Sequence, residues 1–237
     1  MSLAFTPQDD VGWRGTYDDL RPLMSLMTGD EKHSEAATST LDVIWTLYDS
    51  VLHTDPSNPK DELRDRFYLS KGHGPMAFYA VLAAKGFINP SDLSGFADAD
   101  SSLGHHPDRR RIAGVEISSG SLGQGLALGV GAAIGLGLKG SSSRVVVLLG
   151  DGEFDEGSNH EAMAYAGRIG LERLTAVVID NDSATHGWPG GIEKRFALEG
   201  WKTMRVDGRD HRDIEIALNS DHVGCPLLVV AVVGRKS

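Results

Sequence analysis

The sequence predicts an α/β fold in which a parallel sheet is flanked by helices on both faces. Three observations carry that expectation. The stretch 145–149 is a valine-rich apolar run closed by Arg144 and Gly150, and 174–180 and 227–233 repeat the pattern. Such continuous apolar runs suit strands buried on both faces rather than half-exposed ones. Segments of helical character, 156–170, 192–200 and 211–218, alternate with them and with a shorter strand at 203–206, as strand–helix–strand units require. The composition, 41% hydrophobic and 24% charged over 237 residues, is that of an ordinary globular chain long enough for one sizeable core.

The elements follow in order. Residues 1–32 are mixed and polar and read as an N-terminal extension with a short helix at 20–27; residues 33–237 read as one domain with no linker or repeat. Over 36–52, Leu41, Ile44, Trp45, Tyr48 and Leu52 recur at helical spacing, which predicts an amphipathic helix. Two prolines and several Asx and Ser residues end it at 54–59. Arg66–Leu69 reads as a short extended segment, 71–74 as a loop, and 76–85 as a helix closed by Gly86. Glycine is unusually frequent, 29 residues or about 12% against a usual ~7%.

Composition also excludes. A net charge of −10 disfavours nucleic acid and anionic membranes as partners. The longest glycine-free apolar run, Met76–Ala84, is far short of the ~20 residues of a membrane helix. The N-terminus lacks the basic-then-apolar pattern of a leader, and the single Cys225 allows no internal disulfide and no multi-cysteine metal site. A cytoplasmic protein is expected.

In parallel sheets ligands sit beyond the carboxyl ends of strands, so the loops after 149 and 179 matter most. The first reads Gly150-Asp151-Gly152-Glu153. Paired glycines let backbone turn tightly and approach a ligand, and a helix N-terminus behind them offers N–H groups to a phosphate. A carboxylate there would repel a bare phosphate, so Asp151 implies a divalent cation between them. The second loop, Asp180-Asn181-Asp182-Ser183, brings a neutral amide oxygen thirty residues after Asp151, one strand–helix–strand unit on. An Asp, an Asn amide and a backbone carbonyl, with diphosphate oxygens and a water, would complete an octahedral magnesium site.

This pair of loops resembles the thiamin diphosphate motif of thiamin-dependent enzymes, and the upstream segments resemble transketolases. Asp65-Arg-Phe-Tyr-Leu-Ser-Lys-Gly-His-Gly74 is similar to one family segment. His106-Pro107, Gly114-Val-Glu116 and Gly120-Ser-Leu-Gly-Gln-Gly125 are similar to another. The resemblance runs from about Gly29 to the C-terminus. It implies the diphosphate-binding domain of a split transketolase whose pyrimidine-binding domain is a separate chain, in a heterotetramer with two copies of each, transferring a two-carbon ketol unit from a sugar-like ketose to an aldehyde.

The same resemblance implies roles. Asp151, the Asn181 side chain and the Ser183 carbonyl would hold Mg²⁺ (or Ca²⁺). Gly150, Gly152 and Glu153 would lie against the diphosphate, and Gly120 and Leu122 against the cofactor rings. His73, His106 and His33 form the catalytic set, and Glu156 matches an acidic residue near the subunit contact; His186 is singled out only by its place just past the second loop. The glutamate that activates the aminopyrimidine belongs to the partner domain, so this chain alone is expected to be inactive.

Two departures stand out. The family's phosphate-gripping arginine after the phenylalanine is Ala97 here, between Phe96 and Asp98, which opposes an anionic substrate group unless Arg109, Arg110 and Arg111 replace it. A family histidine in the following tail has no counterpart before Ser237. The alternatives are an alpha-type subunit of a thiamin-dependent 2-oxo acid dehydrogenase, decarboxylase or acyl-transfer enzyme, and a degenerate scaffold subunit.

Overall fold

A computed structural model describes residues 12–27, 38–72, 75–184 and 188–234. Its centre is a five-stranded parallel sheet of β1 (Arg66–Leu69), β2 (Val145–Gly150), β3 (Leu174–Asp180), β4 (Lys202–Asp207) and β5 (Leu227–Val232), ordered β1-β2-β3-β5-β4. All six residues of β2 are buried. Alternate side chains face opposite layers, as strand geometry requires. Val146, Leu148, Val177, Ile179, Val229 and Ala231 join one core, and Val145, Val147, Leu149, Ala176, Val178 and Val230 the other.

The first core is covered by α1 (Leu20–Leu26), α2 (Leu41–Thr46, continued as a wider turn over Leu47–Val51), α3 (Met76–Ala84) and α7 (His211–Leu218). The second lies under α4 (Gly125–Leu138), α5 (Gly157–Arg168) and α6 (Ile192–Leu198). Helices on both faces were expected, and the structure has them. α1 packs into the first core through Leu20, Leu23 and Met24.

Two local readings change. In α2 every residue from Leu41 to Thr46 is buried, Asp42 included, and among the described residues an exposed polar face shows only at Asp49 and Ser50 in the wider turn. α4, the longest helix, went unread because five glycines lie within its fourteen residues, and glycine costs roughly 1 kcal/mol each against alanine in a helix. One of them explains itself: a side chain at Gly129 would stand 2.4 Å from Val147 of β2, so glycine lets this helix lie directly on the sheet.

Candidate active site

The register of β2 against β3 sets Gly150 beside Ile179, so the loops that follow emerge side by side. Asp151 is 2% exposed. Its carboxylate accepts from the N–H groups of Gly152 (2.8 Å), Ser183 (2.7 Å) and Ala184 (3.3 Å), and from the Ser183 hydroxyl. Asp182 adopts a left-handed conformation (φ 59°) just before Ser183. A side chain at Gly152 would crowd the Ser183 carbonyl at 3.3 Å. The Asn181 Oδ1 atom is buried and has no hydrogen-bond partner.

That orphaned oxygen tests the fit of a metal. A buried polar atom without a partner costs about 1–3 kcal/mol, and a hard cation accepts just such neutral oxygens. Among the described residues no three His, Cys, Asp or Glu side chains converge on a metal. A cation here therefore depends on neutral oxygens beside Asp151. The residues present fit that need.

Glu153 has a different position from its neighbour. It is 2% exposed, and Oε1 accepts from the Gly123 N–H (3.0 Å) and the Ser70 hydroxyl, while Oε2 accepts from the Gly150 N–H at 3.4 Å. Burial pushes its carboxyl up, against these hydrogen bonds. The side chain ties the end of β1, the loop before α4 and the turn after β2 into one unit. Ser70 also accepts from the Gly125 N–H at 3.1 Å.

The glycine-rich loop before α4 meets the segment after β1 backbone to backbone. Gly120 has φ +142°, and a side chain on Gly72 would stand 2.7 Å from the Gly120 Cα. A side chain on Gly120 would stand 3.2 Å from the His106 ring. Leu122, next in this loop but one, is half-buried. His106 Nδ1 lies 2.8 Å from the Gly72 carbonyl. A carbonyl only accepts, so Nδ1 carries the proton and the lone pair of the neutral ring sits on Nε2. His33, His73 and His186 fall outside the described residues.

Lys71 escaped the sequence reading. Its stem passes Gly150, with carbons 3.5–3.7 Å from where a side chain there would begin, and its Nζ donates to Ser39 Oγ at 3.3 Å. Burial pulls its ammonium down to about 8, while the nearby Asp151 and Glu153 carboxylates act to raise it. The available signal was its place in Ser-Lys-Gly-His-Gly, beside a histidine already singled out. Ala97 is in a left-handed conformation (φ 66°) with its N–H bonded to the Leu103 carbonyl, next to exposed Asp98 and Asp100. Arg109, Arg110, Arg111 and Glu156 are exposed.

A second polar cluster stands where α2 meets the start of α7. Asp42 accepts from the Tyr17 hydroxyl (2.5 Å), Arg209 Nη1 (2.7 Å) and His211 Nε2 (3.0 Å). Arg209 also donates to the Thr38 carbonyl. His211 carried no functional expectation, and here it braces this junction. Burial works to raise the Asp42 carboxyl, but the three donors outweigh it and hold the group below its ordinary value. Burial and the bond to Asp42 push Tyr17 up to about 12.

The parallel-sheet crevice combines a buried aspartate, an unpartnered amide oxygen and close-packed glycine loops, an arrangement whose chemistry fits a phosphate group and a hard cation. The family described as transketolase, thiamine diphosphate binding domain, matches residues 25–231, and the chain belongs to that family. It is 34% identical over 206 residues to an apulose-4-phosphate transketolase subunit of Actinobacillus succinogenes, covering 84% of this chain and 75% of that one. It is 58% identical over 223 residues to a protein of Rhodococcoides fascians named ferredoxin fas2, covering 94% of this chain and 73% of the relative. That name does not describe the shared region as it stands here, because an iron–sulfur cluster takes four ligands, typically cysteines, and this sequence has one cysteine. The fold matches a transketolase of Pichia stipitis with a TM-score of 0.76 at 24% identity, over 91% of this chain and 36% of that one. The chain thus spans about a third of the solved transketolases it resembles. Family and relatives favour the transketolase reading over the 2-oxo acid alternative. Among the described residues no helix is long and apolar enough to cross a membrane.

Proposed function

We propose that this chain is the diphosphate-binding half of a split, thiamin diphosphate-dependent transketolase-like transferase. It moves a two-carbon ketol unit from a ketose to an aldehyde and works with a separate pyrimidine-domain subunit, two of each in the assembly. The observation that carries this reading is the unpartnered Asn181 Oδ1 beside the Asp151–Ser183 turn. Asp151, the Asn181 amide and the Ser183 carbonyl would hold Mg²⁺ (or Ca²⁺). Gly150, Gly152 and Glu153 would lie along the diphosphate, with the Glu153 side chain kept to its structural tie, and Gly120 and Leu122 would lie against the rings.

Bound there, thiamin diphosphate supplies the electron sink that lets a carbon–carbon bond beside a carbonyl break. This chain's part is placement and proton handling. His106, fixed through Nδ1 to the Gly72 carbonyl, presents Nε2 to take or give a proton at a substrate hydroxyl, work suited to imidazole near neutral pH. His73 completes the set by its place in a matching segment and His33 by its spacing from His73, and Glu156 serves the subunit contact. The single cysteine supports a cytoplasmic setting, because the chain relies on no disulfide.

The test is two-carbon transfer by the chain co-purified with its pyrimidine-domain partner. Transfer from a ketose to an aldehyde that needs added thiamin diphosphate and Mg²⁺ is the expected result. Carbon dioxide release from a 2-oxo acid without ketol transfer would overturn it. The relatives' subunits are named for apulose-4-phosphate and 6-deoxy-6-sulfo-D-fructose, both anionic compounds. With Ala97 followed by exposed Asp98 and Asp100, this chain offers no grip for such a group there, so its substrate lacks the terminal phosphate or the partner holds it. Free aldoses are expected to serve at least as well as phosphorylated ones with a partner lacking such a grip. A strong preference for the phosphorylated sugars, kept when the partner's basic residues are replaced, would sink this.

A further inference from the structure

We propose that Lys71 is a cofactor-binding residue whose ammonium pairs with the cofactor's diphosphate in the crevice between β1 and β2. The proposal rests on the reading above that this crevice takes thiamin diphosphate. Its basis is charge and position. Asp151 and Glu153 are both buried at the turn after β2, and their hydrogen bonds come from neutral donors, the backbone N–H groups and hydroxyls of Ser70, Gly123, Gly150, Gly152, Ser183 and Ala184. One divalent cation does not cancel two buried carboxylates and a diphosphate together, and uncompensated charge is costly in a poorly solvated site.

Lys71 is placed to supply the missing positive charge. Its backbone N–H is held by the Leu148 carbonyl of β2 at 3.2 Å, which fixes the root of the side chain at the rim of the crevice. The stem then runs over Gly150, the first glycine of the turn. Its Nζ donates to Ser39 Oγ at 3.3 Å. A phosphate oxygen offers an ammonium a shorter, charge-assisted bond.

The test uses the chain co-purified with its partner. Dissociation constants for thiamin diphosphate, and for inorganic pyrophosphate with Mg²⁺, are measured by calorimetry for the native pair and for Lys71→Met and Lys71→Arg. Lys71→Met is expected to weaken both ligands by about tenfold to a hundredfold and to raise the Mg²⁺ concentration needed for half-saturation, with Lys71→Arg recovering most of the loss. Unchanged affinity in Lys71→Met, or a lower melting temperature without the cofactor as its sole effect, overturns the proposal and makes Lys71 a structural counter-charge. Failure of the native pair to bind thiamin diphosphate would instead remove the functional reading itself.

Discussion

Two buried carboxylates, Glu153 and Asp42, sit in similarly enclosed places and are treated in opposite ways. Glu153 receives backbone N–H groups and a hydroxyl, and its carboxyl is raised by burial. Asp42 receives a guanidinium, an imidazole and a phenol, and its carboxyl is lowered despite burial. Neutral donors satisfy geometry while leaving the surrounding charge uncompensated, which suits the cation and anion proposed for this crevice. The Asp42 cluster brings its own counter-charge and has no such need. It is a joint between α2, the segment before α1 and the start of α7.

The sharpest way to break this contrast is to remove the joint. Asp42→Ala leaves Tyr17, Arg209 and His211 without their shared acceptor. It is expected to destabilise the fold by about 2–4 kcal/mol in denaturant unfolding, with the cofactor affinity of the folded protein little changed. Part of the Arg209 charge reaches water, since its side chain is 44% exposed, which keeps the loss below that of a fully buried pair. A comparable loss of cofactor affinity would show that the two regions are not separate.

At the crevice, Glu153→Gln should cost only about 1 kcal/mol or less, because the amide keeps one acceptor oxygen and sheds the burial penalty on the charge. A loss as large as that of Asp42→Ala would mean that Glu153 is tied by charge rather than by geometry.

The smallest effect separates the two by pH. Asp42, with its lowered value, stabilises the fold above the usual aspartate range, and that contribution disappears as pH falls through the lowered value. Glu153, with its raised value, does the reverse: its contribution is full below the ordinary glutamate range and declines as pH rises through the raised value. Unfolding free energies followed from acid to neutral pH should therefore show a flattened acid limb in Asp42→Asn and a flattened limb above the glutamate range in Glu153→Gln. Identical profiles would remove the distinction.

What the sequence made legible follows the same division. The buried strands, and the adjacency of the loops that carry Asp151 and Asn181, were readable because apolar runs and a fixed strand–helix–strand spacing are local signals. Asp42 was hidden among helical apolar residues, and its partners Tyr17, Arg209 and His211 come from distant segments that only the fold brings together. Lys71 reads in a sequence as a solvated loop cation, and its burial depends on β1 lying against β2. α4 was missed for another reason, since its glycines look like loop punctuation until the sheet surface they accommodate is seen.

The placement of β1 has a kinetic consequence. β2 joins β3, and β4 joins β5, each across a single intervening helix, whereas β1 is held to β2 by contacts such as that of Asp65 with Arg144, 79 positions apart. Closing that loop costs more chain entropy than forming the local pairs, and distant pairings are made slowly. The strand that delivers Ser70, Lys71 and Gly72 is therefore expected to join the sheet last. In a refolding chain the capacity to hold a ligand is expected to trail the burial of the core, and amide protection of β1 gained together with that of β2 and β3 would refute this order.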